Sequence, residues 1–195
     1  MASDNLGRQV AFLLETDKLK DVIRLNLVSD GSRRETTAEH CWHVILQTLT
    51  LAEHAEPGTD IYHVLKLLAV HDLVEIDAGD HWVTEDNHQV ISIKEQAAAE
   101  KIFALLPNQQ SDDFKALWHE FEEGETKEAR FANAMDVLHP MLLVFASEQD
   151  TPVHEPMSVD DIRKKKEAKL APFPALWAYA QSLLDRAVQA GHLTP

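Results

Sequence analysis

Apolar residues along this chain recur at three- and four-residue intervals, the spacing of helices that bury one face. Within residues 4–24, Leu6, Val10, Leu13 and Leu14 mark such a face, and Leu19, Val22 and Ile23 continue it after a break at Thr16-Asp17, so the pattern predicts two short helices. Residues 26–35 carry the turn signal Ser29-Asp30-Gly31-Ser32 and read as an exposed loop. Thr36-Thr37-Ala38-Glu39 then forms a capping box for a helix to about residue 53, with Cys41, Ile45, Leu49 and Ala52 inward and His40 beside that stripe. Asp60 caps a central helix expected to stop at Ala78-Gly79, and residues 80–87 read as a loop. Further helices are predicted over 89–106, from a cap at Ser111 to Gly124, and from Thr126 to about 147, where Pro140 cannot donate to the Asp136 carbonyl. Residues 151–156 read as a linker. Ser158 with Asp161 opens a basic helix containing Arg163-Lys164-Lys165-Lys166, and Pro172 and Pro174 precede a last helix ending at Gly191. No strand-like alternation, internal repeat or composition shift stands out, so the fold class is all-α: a single domain, 1–195, with a core over about 10–150 and C-terminal helices over 151–195 packed on it.

One helix breaks the apolar pattern. Its inward stripe runs Ile61, Val64, Leu65, Leu68, and the next members are His71, Asp72 and Glu75. Unpaired charges facing a core cost several kcal/mol each, so these groups must pair with one another or bind a metal ion.

Composition narrows the partners. Eighteen Lys and Arg against 33 Asp and Glu give a net charge of −15, which repels polyanions and argues against binding a nucleic-acid polymer. A small anionic substrate requires a local cationic patch, which a bound divalent ion can supply. The single cysteine, Cys41, excludes an internal disulfide, the first residues lack the basic-then-apolar pattern of a signal peptide, and no apolar run is long enough to span a bilayer; a cytoplasmic setting without a membrane is expected. The Trp118 helix and the helix over 176–188 offer apolar surface for a homodimer.

Three segments can converge on an ion: His40 at the start of one helix, His71-Asp72 in the central one, and Asp136 in a later one. Two imidazoles and two carboxylates suit a divalent transition metal such as Mn, Co, Fe or Ni, with Zn or Mg as further occupants, and leave positions for water or phosphate. His43 and His139, one turn beyond His40 and Asp136, are candidates for groups behind the ligands or for alternative ligands, with a packed or solvated imidazole as the default.

The pattern His40, His71-Asp72, Asp136 resembles the HD-domain superfamily of metal-dependent phosphohydrolases. The similarity extends to its 5′-deoxynucleotidase-like branch at Leu19-Lys20 to Arg24, Thr37-Ala38-Glu39-His40, His71-Asp72-Leu73-Val74-Glu75 with Gly79-Asp80, and Ala134-Met135-Asp136. The resemblance implies an HD-type helical bundle that hydrolyses phosphomonoesters of (deoxy)nucleoside 5′-monophosphates. It makes His40, His71, Asp72 and Asp136 the metal ligands and Glu75 the catalytic acid or base. Asp80 then orients water or, with Glu75, holds a second ion, and Arg24 binds the substrate phosphate. His81, beside Asp80, is placed to touch substrate from the loop. In one place the chain departs from that branch: Leu25 follows Arg24 where the bacterial deoxynucleotidases have Trp. Alternatives on the same site are a phosphodiesterase, a nucleotide pyrophosphohydrolase, or a degenerate ligand-binding module.

Overall fold

The computed structural model describes residues 2–81, 88–146 and 157–194. Helix α1 (Ala2–Thr16) and a 3-10 helix (Asp17–Asp21) lead into β1 (Ile23–Leu27), which pairs antiparallel with β2 (Arg34–Thr36). There follow α2 (Thr37–Thr50), α3 (Ile61–Val70), the single turn α4 (Glu75–Ala78), α5 (His88–Phe103), α6 (Asn108–Glu123) and α7 (Lys127–Phe145). The chain closes with β3 (Met157–Ser158), α8 (Val159–Leu170), α9 (Pro174–Gln189) and β4 (Leu193–Thr194), β3 and β4 pairing in parallel. The all-α class holds, with two small ladders added. The expected 151–156 linker lies outside the described residues.

The β1–β2 ladder corrects the sequence reading, which carried a helix through Val22 and Ile23 and left residues 26–35 as a loop. Ile23, Leu25 and Leu27 do alternate, but the inward residue is the charged one: Arg24 is buried while Ile23 is exposed. Its partner strand likewise turns Glu35 inward. Two charged residues facing the core invert the usual hydrophobic alternation, which is why the pattern is hard to see.

Capping signals set the helices around the centre. Thr36 is the N-cap of α2, Oγ1 accepting from Glu39 N at 3.2 Å and Glu39 Oε2 accepting from Thr36 N at 3.0 Å. Arg33 grips the same carboxylate at 2.6 and 2.8 Å. Asp60 caps α3 through His63 N and Thr126 caps α7 through Ala129 N. Ser111, expected as a cap, instead lies buried in the first turn of α6, whose N-cap is Pro107, because Ser111 N bonds back to Pro107 O at 2.8 Å. Helix α7 continues through Pro140 to Phe145.

Two further corrections matter for the site. The buried face of α2 is Thr37, His40, Val44, Gln47 and Thr48, so His40 lies in the stripe, Cys41 and Ile45 flank it and Leu49 is exposed. The rotation is fixed by Gln47, which donates to Met135 O on α7 at 2.9 Å. The central helix ends at Val70, not Ala78; beyond it the bonds Leu73 N to Val70 O and Glu75 N to Asp72 O, at 3.2 and 3.0 Å, tighten the chain into turns until Gly79, at φ 81°, ends the segment. Three-residue closure stacks Asp72 and Glu75 over one another.

The core falls into two hydrophobic clusters. Val44, Val64, Leu67, Leu68, Phe131, Met135, Leu183 and Leu184 belong to the larger. Phe12, Leu19, Val70, Leu73, Val74, Ile102, Phe103 and Trp118 belong to the smaller. The α3 segment enters the first with Leu67 and Leu68 and the second with Val70, Leu73 and Val74, and His71-Asp72 lies at the seam. Trp118, Leu176, Leu183 and Leu184, on the two helices expected to offer surface for a homodimer, are themselves buried in the chain's own core. Tyr179 on α9 stays exposed, as do Leu6, Leu13 and Leu14 on α1 and Trp42, Leu46 and Leu49 on α2. No helix among the described residues is long and apolar enough to cross a membrane.

Candidate metal centre

Four donor atoms from three helical segments form a closed ring at the seam. His40 Nε2, from the first turn of α2, is 3.0 Å from Asp136 Oδ1 on α7 and 3.6 Å from Asp72 Oδ2. His71 Nε2, just past the end of α3, is 3.2 Å from the same Asp72 oxygen and 3.7 Å from the same Asp136 oxygen. Edges of this size are close to the roughly 3 Å between adjacent donors around an octahedral ion with bonds near 2.1 Å. His71 Nδ1 donates to Leu68 O at 2.9 Å, which aims Nε2 at the ring, where it is buried without a hydrogen-bond partner. Facing two carboxylate oxygens, Nε2 either carries a proton or turns a lone pair toward them, and in the second state a divalent metal fits the donor set.

The electrostatics agree. Burial would push the His71 imidazole down, but Asp72 and Asp136 outweigh it and hold the ring well above its ordinary value. Burial alone would raise Asp72 and Asp136; His71 and Arg24 hold Asp72 low, and the hydrogen bond from His40 with the nearby His71 ring holds Asp136 well below the carboxylate range. The centre is built to keep two carboxylates ionised around positive charge.

Beside this ring, Arg24 Nη1 lies 2.9 Å from Asp72 Oδ2, 3.3 Å from Glu75 Oε1 and 3.9 Å from Asp80 Oδ1. Glu75 also accepts from Thr37 Oγ1 at 2.7 Å. Burial and the neighbouring Asp72 charge push the Glu75 carboxyl up to about 9, against the opposing pull of Arg24, so at neutral pH it carries a proton. Asp80 Oδ2 accepts from the backbone N of Leu25 at 3.0 Å, tying the stretch after Gly79 to β1. The site therefore offers a cation socket, a neutral carboxylic acid one turn beyond Asp72, and a guanidinium between them.

Comparison with known proteins gives the family. A family model described as HD domain matches residues 16–177. The chain belongs to the HD domain family. It is similar to a solved structure titled a predicted metal-dependent phosphohydrolase from Magnetospirillum magnetotacticum MS-1, with TM-score 0.89 and 40% identity over 98% of this chain and 100% of that one. Among curated proteins it resembles the 5′-deoxynucleotidases HDDC2 of Xenopus laevis, 28% identical over 71% of this chain and 68% of that protein, and of Homo sapiens, 25% identical over 77% and 72%.

Within this HD domain the structure brings together six of the eight residues singled out from sequence as one cluster: His40, His71, Asp72, Asp136, Arg24 and Glu75. Asp80 stands at its edge, on the Arg24 guanidinium. His81 does not join it; the ring is exposed and bonds back to Ala78 O at 2.6 Å. His139 is buried against Glu35, and His43 is exposed with its ring 4.6 Å from that of His139. Sequence reasoning missed Glu35, Thr37 and Lys166. Thr37 and Glu35 were taken as cap and loop residues, whereas each sends a polar atom into the buried site. Lys166 lies in the basic run of α8, half-buried on the face that holds Ile162 and Leu170. Burial lowers its ammonium against the pull of Asp136, which places its charge in the field of the centre. The inward i, i+4 pattern Ile162, Lys166, Leu170 was the available signal.

Proposed function

We propose that this HD domain is a metal-dependent phosphohydrolase that hydrolyses (deoxy)nucleoside 5′-monophosphates, with one divalent ion held by His40, His71, Asp72 and Asp136. The ring of four donor atoms, with the orphaned His71 Nε2 in it, carries the reading. The Magnetospirillum structure supports the reaction class, and the names of the curated relatives support the substrate class. Bound there, a divalent ion lowers the pKa of water and screens phosphate charge.

The protein's own groups do the rest. Glu75, neutral near pH 7 and steadied by Thr37, is the proton donor for the departing 5′-oxygen. Arg24 balances Asp72, donates to Glu75, and turns its guanidinium to phosphate oxygens when substrate enters. Asp80 holds β1 and hence Arg24 in register. The Arg24 guanidinium occupies the space between Glu75 and Asp80 that a second ion would need, so one ion is assigned rather than two.

Elemental analysis of the purified protein, paired with phosphate release from deoxynucleoside and ribonucleoside monophosphates, tests the proposal. One ion per chain and inorganic phosphate from a monophosphate are expected. Full activity in a chelated, metal-free sample would overturn it, and pyrophosphate from nucleoside triphosphates would shift the reaction type.

A further inference from the structure

The chemistry above uses one side of His40. On the other side, His40 Nδ1 is buried without a hydrogen-bond partner, and so are Glu35 Oε2 and Arg24 Nε. These three atoms face one another: Glu35 Oε2 lies 3.8 Å from His40 Nδ1 and 3.9 Å from Arg24 Nε. A buried donor or acceptor left unmatched is destabilising, so two nitrogens and one carboxylate oxygen poised just beyond bonding distance form an incomplete network. The other oxygen of Glu35 is already fixed, accepting from His139 Nε2 at 2.9 Å. His139 lies one turn along α7 from Asp136, and Glu35 lies in β2 next to the Thr36 cap, so both ends of this contact are anchored in regular structure.

The tautomer of His40 decides which side is satisfied. A proton on Nε2 bonds to Asp136 Oδ1 at 3.0 Å and leaves Nδ1 as an acceptor turned toward a carboxylate. A proton on Nδ1 meets Glu35 and turns the Nε2 lone pair toward the Asp72 and Asp136 oxygens, an arrangement that needs a cation. Loss of the Nε2 proton and gain of one at Nδ1 leaves the imidazole neutral, with no net proton exchanged.

We infer that Glu35 is a positioning residue that accepts the Nδ1 proton of His40 and so holds the tautomer whose Nε2 is free for the ion, while His139 holds Glu35. The inference rests on the single-ion reading above. Glu35, His40 and His139 also offer three ligand atoms within 4.8 Å of one another, but the Arg24 guanidinium beside Glu35 opposes a second cation there, and the contact serves orientation instead.

The test titrates Zn²⁺, a diamagnetic probe, into chelator-stripped wild type, Glu35→Gln and Glu35→Ala by calorimetry, with NMR of isotope-labelled histidine on the loaded proteins. The wild type is expected to bind one ion with His40 protonated at Nδ1. Glu35→Ala is expected to bind roughly 10–100-fold more weakly, and Glu35→Gln, which keeps a carbonyl acceptor in the same volume, should lie between. Should Glu35→Ala fail to fold, Glu35→Gln decides: weakened binding supports the inference and wild-type affinity overturns it. A loaded wild type with His40 protonated at Nε2 also overturns it. A wild type that binds no ion overturns both this inference and the reading beneath it, whereas a wild type that binds with variants unchanged overturns this one alone.

Discussion

The two sides of the His40 ring are made of the same residue types and are put to different uses. On one side stand Asp72 and Asp136, their side chains 16% and 28% exposed; on the other stand Glu35 and His139, at 4% and 1%. Each side pairs carboxylate with imidazole at about hydrogen-bonding distance. What separates them is access to solvent. Groups on the open side can exchange water for an ion and meet a substrate, whereas groups on the sealed side can only orient their neighbours. Residue type alone would mark both as metal sites, and burial tells them apart.

If that division is right, Asp72→Ala gives the largest effect: the ion is lost and phosphate release falls to background, as read by elemental analysis and a phosphate assay. Retention of a stoichiometric ion by Asp72→Ala would reverse the roles of the two sides. Glu75→Ala keeps the ion but lowers turnover by roughly 10²–10⁴-fold, the range for a lost general acid. Arg24→Met leaves Asp72 without its counter-charge, and denaturant melts should show a loss of about 3–5 kcal/mol, the range for breaking a buried pair. The pH dependence of stability isolates Glu75. Its carboxyl holds a proton to about 9 in the folded protein against an ordinary value of 4.5, so the folded state binds more protons between those limits. Chelated wild type should therefore lose stability as pH rises from about 4.5 to about 9, and Glu75→Gln should flatten that slope. The smallest effect belongs to His81→Ala: its ring is exposed and turned back on Ala78, so stability should move by no more than about 0.5 kcal/mol and KM should stay near wild type.

The open side was legible in the sequence because its residues interrupt an apolar stripe, which demands mutual pairing or a bound ion for His71, Asp72 and Glu75. Caps at Thr36, Asp60 and Thr126 were legible for the same local reason: a side-chain oxygen three residues before an unsatisfied N–H is a short-range signal. The sealed side was not. Glu35 sits in a three-residue strand after a turn, and its burial depends on pairing with β1 and on His139, whose position in the chain is remote from it. The end of α3 was misplaced because four-residue periodicity and three-residue turns put the same residues on nearly the same face over one turn, and only the bonding tells them apart. Surface was misjudged too. The apolar residues of α1 read as a buried face, yet Leu6, Leu13 and Leu14 stay exposed while Phe12 packs inward, a choice made by the neighbouring helices rather than by periodicity.

The bond from Leu25 N to Asp80 Oδ2 has one more consequence. It is made by the main chain, so the strand that carries Arg24 stays locked to the segment beyond Gly79 whatever side chain stands at position 25, proline alone excepted. The half-buried Leu25 can therefore be exchanged for an aromatic or a polar residue without loosening the clamp. Such a substitution changes the side chain beside Arg24 and leaves the main-chain tie that sets the strand in place.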